Sequence, residues 1–198
     1  MDISARPADV GDLDGFVATL TAAFLEDPLM RWVFPDDSSR AARLAVLWRY
    51  VASGVYLPRG GCTMLPGYDA VALWRPPGAR ERSEFWEQHG ARFAEELEGQ
   101  VERLEQVGEV VGEHHPNDAE HWYLQAIGTR PEAQGRGLGS VLLAHTLAVA
   151  DEHGLPAYLE ASNPRSRALY ERFGFEALET FAPEGCPPLW GMWREPVS

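Results

Sequence analysis

The sequence contains no lysine, and all 17 of its basic residues are arginine. We attribute this bias to a GC-rich bacterial genome rather than to a chemical requirement. Cysteine is almost as scarce, since only Cys62 and Cys186 are present. Without an export signal, two cysteines indicate reduced thiols in a cytoplasmic protein, and we expect both to pack as small apolar core residues.

Long apolar runs are also missing from the chain. No stretch of 18 apolar residues occurs, and a transmembrane helix needs about that length, so we expect no membrane partner. The first residues, Met1 to Arg6, include no basic segment followed by an apolar stretch. We therefore expect no signal peptide.

Positive charge is outnumbered, and the formal net charge is -13 at pH 7. Because nucleic-acid recognition needs a basic face, we expect no nucleic-acid partner. Negative charge is concentrated between Glu81 and Glu120, where 12 acidic residues and 3 arginines give a net charge of -9. This segment is either a solvated helical face or a source of attraction for a cationic substrate.

The 198 residues, 45% of them hydrophobic, suffice for one domain with a substantial core. Apolar spacings of three and four predict helices, and short β-rich runs predict strands. Strands are predicted at 3–7, 62–65, 70–74, 122–129, 156–161, 176–182 and 189–194, with helices at about 9–26, 38–55, 80–112, 138–153 and 163–174. This order predicts a mixed α/β (α+β) fold with mostly antiparallel neighbours.

The most informative stretch is residues 134–140, which follows the strand at 122–129 and opens a helix. Three glycines alternate over five of its positions. The first N–H groups of a helix lack internal partners and lie at the positive end of its dipole, so this turn could bind a pyrophosphate. It has neither the Gly-Lys-Ser/Thr of a P-loop nor the glycine spacing of a dinucleotide fingerprint. From the glycines alone, a plain turn is an equally good interpretation.

Two blocks of sequence together resemble the GCN5-related N-acetyltransferase (GNAT) family. Gln134, Gly137 and Gly139 fit Gln-x-x-Gly-x-Gly, which is similar to the acetyl-CoA signature of that family. Asn163, followed by Leu-Tyr-Glu-Arg-x-Gly-Phe at 169–175, resembles the family's other block. The resemblance implies a single GNAT domain over 1–198, with a central sheet of about six to seven strands flanked by helices.

Residues 80–116 depart from the simple family pattern, because a helical insert separates two strands that are usually joined directly. Several features resemble the puromycin N-acetyltransferase type. They are this insert, Trp74 at the end of a strand, His115-Pro116 before the next strand, and the ending at 183–192. The likeness does not establish puromycin as the acceptor.

The family resemblance implies that an amine attacks acetyl-CoA directly and takes its acetyl group. It places the pyrophosphate on backbone N–H groups at 135–140 and the pantetheine beside the strand at 127–129. An N–H group of this strand could also bind the thioester oxygen. Residues 127–129 could also be an ordinary core strand, which is compatible with a role beside the pantetheine. The implied cofactor contacts are Ile127, Gly128, Thr129, Gln134, Gly135, Arg136, Gly137, Leu138, Gly139, Ser140, Asn163, Ser166 and Tyr170.

Tyr170 is the candidate for the general acid. It lies seven residues after Asn163, or two helical turns, so both side chains project to similar sides. A phenol titrates near ~10 and a thiol near ~8.5, so a tyrosine beside the sulfur can protonate the departing thiolate. The alternative for Tyr170 is a core tyrosine, and for Asn163 it is a helix N-cap.

The general base has three candidates. His121 precedes the motif strand, and an imidazole, which titrates near ~6.5, can accept the ammonium proton directly or through water. Glu160, near the end of the neighbouring strand, is its rival, and Glu120 is a weaker third choice. His121 could equally be a surface histidine. His114 and His115 form no metal-ligand pattern, so we predict no metal.

The sequence leaves the acceptor open. The first hypothesis is a primary amine of a small molecule, with the aromatic connection at 29–34 and the acidic insert on the acceptor side. The second is a protein or peptide amine. The third is a module that binds acyl-CoA as a sensor without turnover. Dimers are common in the family, so a homodimer is a further expectation.

Overall fold

The computed structural model describes residues 4–79 and 83–197. Seven strands form one sheet in the spatial order β1-β2-β3-β4-β5-β7-β6. Strands β4 and β5 are parallel, and the other five neighbouring pairs are antiparallel. This sheet confirms the predicted fold class. The strands are β1 Arg6–Pro7, β2 Thr63–Met64, β3 Ala70–Arg75, β4 Trp122–Thr129, β5 Ala157–Ala161, β6 Glu176–Phe181 and β7 Leu189–Arg194.

Helices cover both faces of the sheet. They are α1 Leu13–Phe24, α2 Pro28–Val33, α3 Asp37–Tyr50, α4 Ser83–Glu96, α5 Glu102–His114, α6 Leu138–Glu152 and α7 Pro164–Arg172. Alternate residues of β3 point to opposite faces. Val71 and Leu73 pack in the core cluster under α1 and α3, whereas Ala72 and Trp74 pack in the cluster under α6.

The helix starts differ from the sequence prediction at two places. Residues 29–37 were expected to be a connection, but Pro28–Val33 is a short helix. Asp27 caps it by accepting hydrogen bonds from the N–H groups of Leu29 and Met30 at 3.0 and 3.3 Å, and a capping aspartate followed by proline favours a helix start. The helix predicted from about residue 38 begins at Asp37, because Asp36 is its N-cap.

The insert forms a helical hairpin, α4 and α5, residues 83–114. The chain turns between the two helices at Gly99, where φ is +73°. Buried Arg43 of α3 anchors the turn by donating to Glu98 at 3.0 Å and to Gln100 at 2.7 Å. The predicted insert begins at Arg80 and the predicted first strand at Ile3, and both of these residues lie outside the described residues.

The two cysteines have different surroundings. Cys62 is fully buried, and burial raises the pKa of its thiol to about 12, so it is an unreactive core residue as predicted. Cys186 lies between β6 and β7 and is only half-buried. The expectation of a core cysteine therefore holds for Cys62 but not for Cys186.

The sheet opens where β4 and β5 part. Their pairing ends at Leu124 and Leu159, although β4 continues to Thr129. On the other side, β4 stays paired with β3, but Gln125 is an extra residue between the pairs formed by Leu124 and Ala126. Such a bulge increases the local twist of a strand. The main chain of 125–129 is therefore unpaired with β5 and borders a gap in the sheet.

Candidate active site

One cleft of about 1980 Å³ passes through this gap. Its loop side is lined by the end of β4, residues 134–140 and α7. Its hairpin side is lined by residues of α2 to α5 and by the residues between α5 and β4. Every residue named as a cofactor contact from the sequence lines the cleft except Arg136, and so do all three base candidates.

The glycine-rich turn on the loop side depends on glycine for its conformation. Gly135 and Gly137 have φ of +78° and +76°, a region that other residues rarely adopt. Gly137 is the N-cap of α6 and provides no side-chain hydrogen bond to the first helical N–H groups. The start of α6 can therefore accept an anionic group from the cleft. Arg136 points elsewhere, 3.7 Å from Asp69.

Arg165 is a cleft residue that the sequence analysis missed. It lies in the first turn of α7 and donates to the side-chain oxygen of Gln134 at 3.3 Å. The Gln134 side chain in turn donates to the carbonyl of Thr129 at 3.2 Å. Arg165 thus adds a positive charge beside the glycine-rich turn. An arginine directly after the Asn163-Pro164 helix start, in an acidic chain, was a signal that could have identified it.

Tyr170 lies on α7 and is only 6% exposed, yet it lines the cleft. Its ring packs against Phe175, with 6.0 Å between the ring centroids. Burial raises the pKa of its phenol well above the ordinary value, and the nearby carboxylate of Asp27 adds to this effect. A raised pKa keeps the phenol protonated at neutral pH, which is the form a general acid needs.

Asp27 connects the two sides of the cleft, a role that the sequence analysis missed. Its second carboxylate oxygen accepts from the hydroxyl of Ser162 at 2.7 Å and from the side-chain amide of Asn163 at 3.1 Å. The oxygen of that amide caps α7 by accepting from the N–H of Ser166 at 2.9 Å. Asn163 is therefore the predicted N-cap, and buried Asp27 ties it to α2.

His121 lies at the entrance to β4, and each of its ring nitrogens lies close to another polar atom. Its Nδ1 lies 2.8 Å from the carbonyl oxygen of Ala119, and its Nε2 lies 3.1 Å from Nε2 of His115. Since a carbonyl oxygen can only accept, Nδ1 carries the proton of the neutral ring. Burial lowers the pKa of His121. The unprotonated Nε2 is therefore the basic atom, and it lies next to His115.

Glu160 lies at the end of β5, and its side chain is 9% exposed. One carboxylate oxygen accepts from the hydroxyl of Tyr123 at 2.7 Å. The other lies 3.8 Å from Nδ1 of His115 and accepts no hydrogen bond from the part of the chain that the structure describes. A buried carboxylate with an unpaired oxygen can still accept a proton or a hydrogen bond.

His115 joins the two base candidates, and the sequence analysis considered it only as a metal ligand. Arg75 of β3 lies beside it, with 3.1 Å between the guanidinium and the Nε2 atom of His115. Residues Arg75, His115, His121 and Glu160 form what we call the histidine cluster. Glu120 lines the cleft but is exposed, outside this cluster. Among residues 4–79 and 83–197, no group of three side chains has the arrangement of a metal site.

The hairpin side is mainly apolar. The connection expected at 29–34 contributes Leu29 and Met30 to the lining, whereas Phe34 is buried in the core. Trp32 is covered by the guanidinium of Arg103, 4.9 Å from the ring centroid. Besides Tyr170, the aromatic rings that line the cleft are those of Phe24, Trp48, Tyr56, Trp86, Phe93 and Tyr123.

Comparison with known proteins agrees with this geometry. A model of the acetyltransferase (GNAT) family matches residues 67–175, which is more than half of the chain. An uncharacterised N-acetyltransferase of Schizosaccharomyces pombe is 24% identical over 213 residues, which cover 99% of this chain and 85% of that protein. A mycothiol acetyltransferase of an Arthrobacter species is 28% identical over 214 residues, 88% of this chain. The chain spans 66% of the length of that curated relative.

Among solved structures, a crystal structure from Corynebacterium glutamicum, described as a histone acetyltransferase and related acetyltransferase, is similar with a TM-score of 0.77. It is 27% identical, and the match covers 100% of this chain and 98% of that one. The chain therefore belongs to the acetyltransferase (GNAT) family and is an acetyl-CoA-dependent N-acetyltransferase. The resemblance to the puromycin type remains a prediction.

The described part of the chain contains no helix that is both long and apolar enough to cross a membrane.

Proposed function

We propose that the enzyme transfers the acetyl group of acetyl-CoA to a primary amine of a small molecule by direct attack. One observation carries this proposal. The unpaired end of β4 lies in a single cleft between a glycine-opened helix start and the histidine cluster. A thioester beside β4 would therefore have an anion-binding turn on one side and basic groups on the other.

In this proposal the donor occupies the loop side. The N–H groups of 135–140 hold the pyrophosphate, and Arg165 adds a charge that attracts the phosphates. The main chain of Ile127, Gly128 and Thr129 runs beside the pantetheine. An N–H group of the same segment stabilises the negative charge that develops on the thioester oxygen.

The histidine cluster removes the first proton in the proposed reaction. The substrate arrives as an ammonium ion, and the unprotonated Nε2 of His121 or the free oxygen of Glu160 accepts its proton. His115 lies between these two groups, so the cluster acts as one base that passes the proton to solvent. The neutral amine then attacks the thioester carbon and forms the new N–C bond.

Tyr170 completes the reaction as general acid. The C–S bond breaks as the phenol donates its proton to the departing thiolate, giving free CoA. The second proton of the acetylated nitrogen restores the phenol. The net result is an amide, a thiol and one proton released to solvent. A general acid of this kind typically contributes about 10²–10⁴-fold to the rate.

The hairpin supports a small acceptor rather than a protein. Helices α4 and α5 border the cleft together with α2 and α3, so the acceptor side opposite β4 has helical walls. The curated relative named for mycothiol also favours a small molecule. A cytoplasmic location, expected from the two cysteines, and a homodimer, expected from the family resemblance, remain predictions.

The test is the rate of thiol release from acetyl-CoA with small primary amines, for wild type and for Tyr170→Phe. We expect the variant to lose about 10²-fold in kcat without weaker acetyl-CoA binding, because it keeps the ring and loses only the acidic proton. Tyr50→Phe is the matched control, since Tyr50 bonds to Glu96 of α4 and lies outside the cleft lining. Equal kcat values for wild type and Tyr170→Phe would overturn the acid assignment.

A further inference from the structure

The hairpin contributes a continuous face to the cleft. On α5 and the residue before it, the lining positions are spaced by three and four residues, so they share one side of the helix. These positions are Val101, Leu104, Glu105, Val107, Gly108, Val111 and Gly112, and α4 adds Trp86, Gly90, Phe93 and Ala94. Glu105 is the charged member of this set. The surface is otherwise an apolar wall with small residues along it.

Three glycines in this wall have no structural explanation within the described chain. Gly90, Gly108 and Gly112 lie inside helices. A Cβ atom at any of the three would meet no other atom within 4 Å. Glycine in a helix interior is less stable than alanine. A ligand that lies against the helix backbone would account for the missing side chains.

Two buried polar groups that line the same cleft have no hydrogen-bond partner within the described residues at the atoms named here. The free oxygen of Glu160 belongs to a side chain that is 9% exposed. The indole N–H of Trp48, a residue only 3% exposed, also lacks a hydrogen-bond partner among the described residues. Such groups indicate a ligand that brings a positive charge and a hydrogen-bond acceptor. They are independent of the glycine positions.

We propose that the acceptor is a primary amine with a flat aryl body, which lies against the Gly108–Gly112 face of α5 with its ammonium group towards Glu160. This inference rests on the proposed function. The rings of Trp48, Trp86 and Phe93 line this side of the cleft and provide edge or face contacts to a ring. The bare backbone at Gly108 and Gly112 lets the ring approach closely. A polyamine or an amino sugar would instead place polar groups against apolar walls, which is unfavourable.

The experiment compares thiol release with two aryl amines, 2-phenylethylamine and tyramine, and two polar amines, agmatine and glucosamine. For wild type, we expect kcat/KM to be at least about tenfold higher with the aryl amines. Gly108→Leu should raise KM for 2-phenylethylamine by at least about tenfold and leave KM for acetyl-CoA unchanged. Glu113→Leu adds similar bulk to the exposed face of α5 and should change neither value.

Gly108→Ala separates binding from stability. It should raise Tm by about 2–4 °C, because alanine favours the helix interior, and it should also raise KM for the aryl amines. If glycine has only a structural role, Tm alone will change. That result, or higher kcat/KM with agmatine or glucosamine, would overturn the inference and leave the proposed function intact. Bound acetyl-CoA with no thiol release from any of the four amines would overturn both.

Discussion

Replacing Glu160 by glutamine tests whether the histidine cluster deprotonates the acceptor. Glutamine has nearly the same shape and can still accept a hydrogen bond from Tyr123, whose hydroxyl lies 2.7 Å from the carboxylate. The substitution removes the negative charge 3.8 Å from Nδ1 of His115. The variant should therefore fold normally. If the cluster acts as one base, the variant should also lose that function, because Glu160 is the negatively charged member of the cluster.

The size of the effect follows from the protonation of the amine. A primary ammonium group titrates near ~10.4, taking lysine as the reference, so about one molecule in 10³ is neutral at pH 7. An enzyme without its base depends on this neutral fraction. We expect kcat/KM of Glu160→Gln to fall about 10²–10³-fold at pH 7. The deficit should shrink about tenfold per pH unit, since the neutral fraction rises tenfold per unit.

The assay is the initial rate of thiol release with one amine at pH 7, 8 and 9. Glu179→Gln is a matched control, because Glu179 pairs with His114 at 2.9 Å and lies outside the cleft lining. Its kcat/KM should stay within about twofold of wild type. A Glu160→Gln deficit that is constant from pH 7 to 9, or that is absent at pH 7, would refute the reasoning.

Three further substitutions test the structure around the cleft. Gly137→Ala should destabilise the fold by about 1–2 kcal/mol in thermal melts, because φ is +76° there; unchanged stability would contradict the need for glycine. Asp27→Ala should cost about 2–4 kcal/mol in urea unfolding, since a buried cap and its bond to Asn163 are lost; a loss of under about 0.5 kcal/mol would contradict that role. Arg6 lowers the pKa of Asp12 from 3.8 to about 2, so the contribution of this pair to stability is present above about pH 4 and is lost towards pH 2. Asp12→Asn should flatten the acid dependence of unfolding over that interval, and an unchanged profile would argue against the pair.

Features that depend on neighbouring residues could be predicted from the sequence. The turn at 134–140 was predictable because a glycine-rich turn and the helix after it are adjacent in the chain. The N-cap role of Asn163 was predictable for the same reason, since the capped N–H group is three residues away. The positions of the strands along the chain followed from short β-rich runs, and the insert was visible as a long helical segment.

Contacts between distant segments could not be predicted in this way. Asp27 bonds to Asn163 across 136 positions, and nothing in the local pattern around Asp27 indicates that partner. His115 meets Glu160 only because β4 and β5 are neighbours in the sheet. The rival bases of the sequence analysis, His121 and Glu160, therefore belong to one cluster, which only the tertiary structure could reveal.

The most direct test of the central claim is identification of the acetylated product by mass spectrometry, together with the amount of thiol released. Purified enzyme would be incubated with acetyl-CoA and either a small primary amine or a basic peptide at equal concentration. The account predicts an N-acetylated small amine, formed in equal amount to free CoA and faster than any acetylated peptide. Acetylated peptide as the faster product, or thiol release without an acetylated amine, would contradict it.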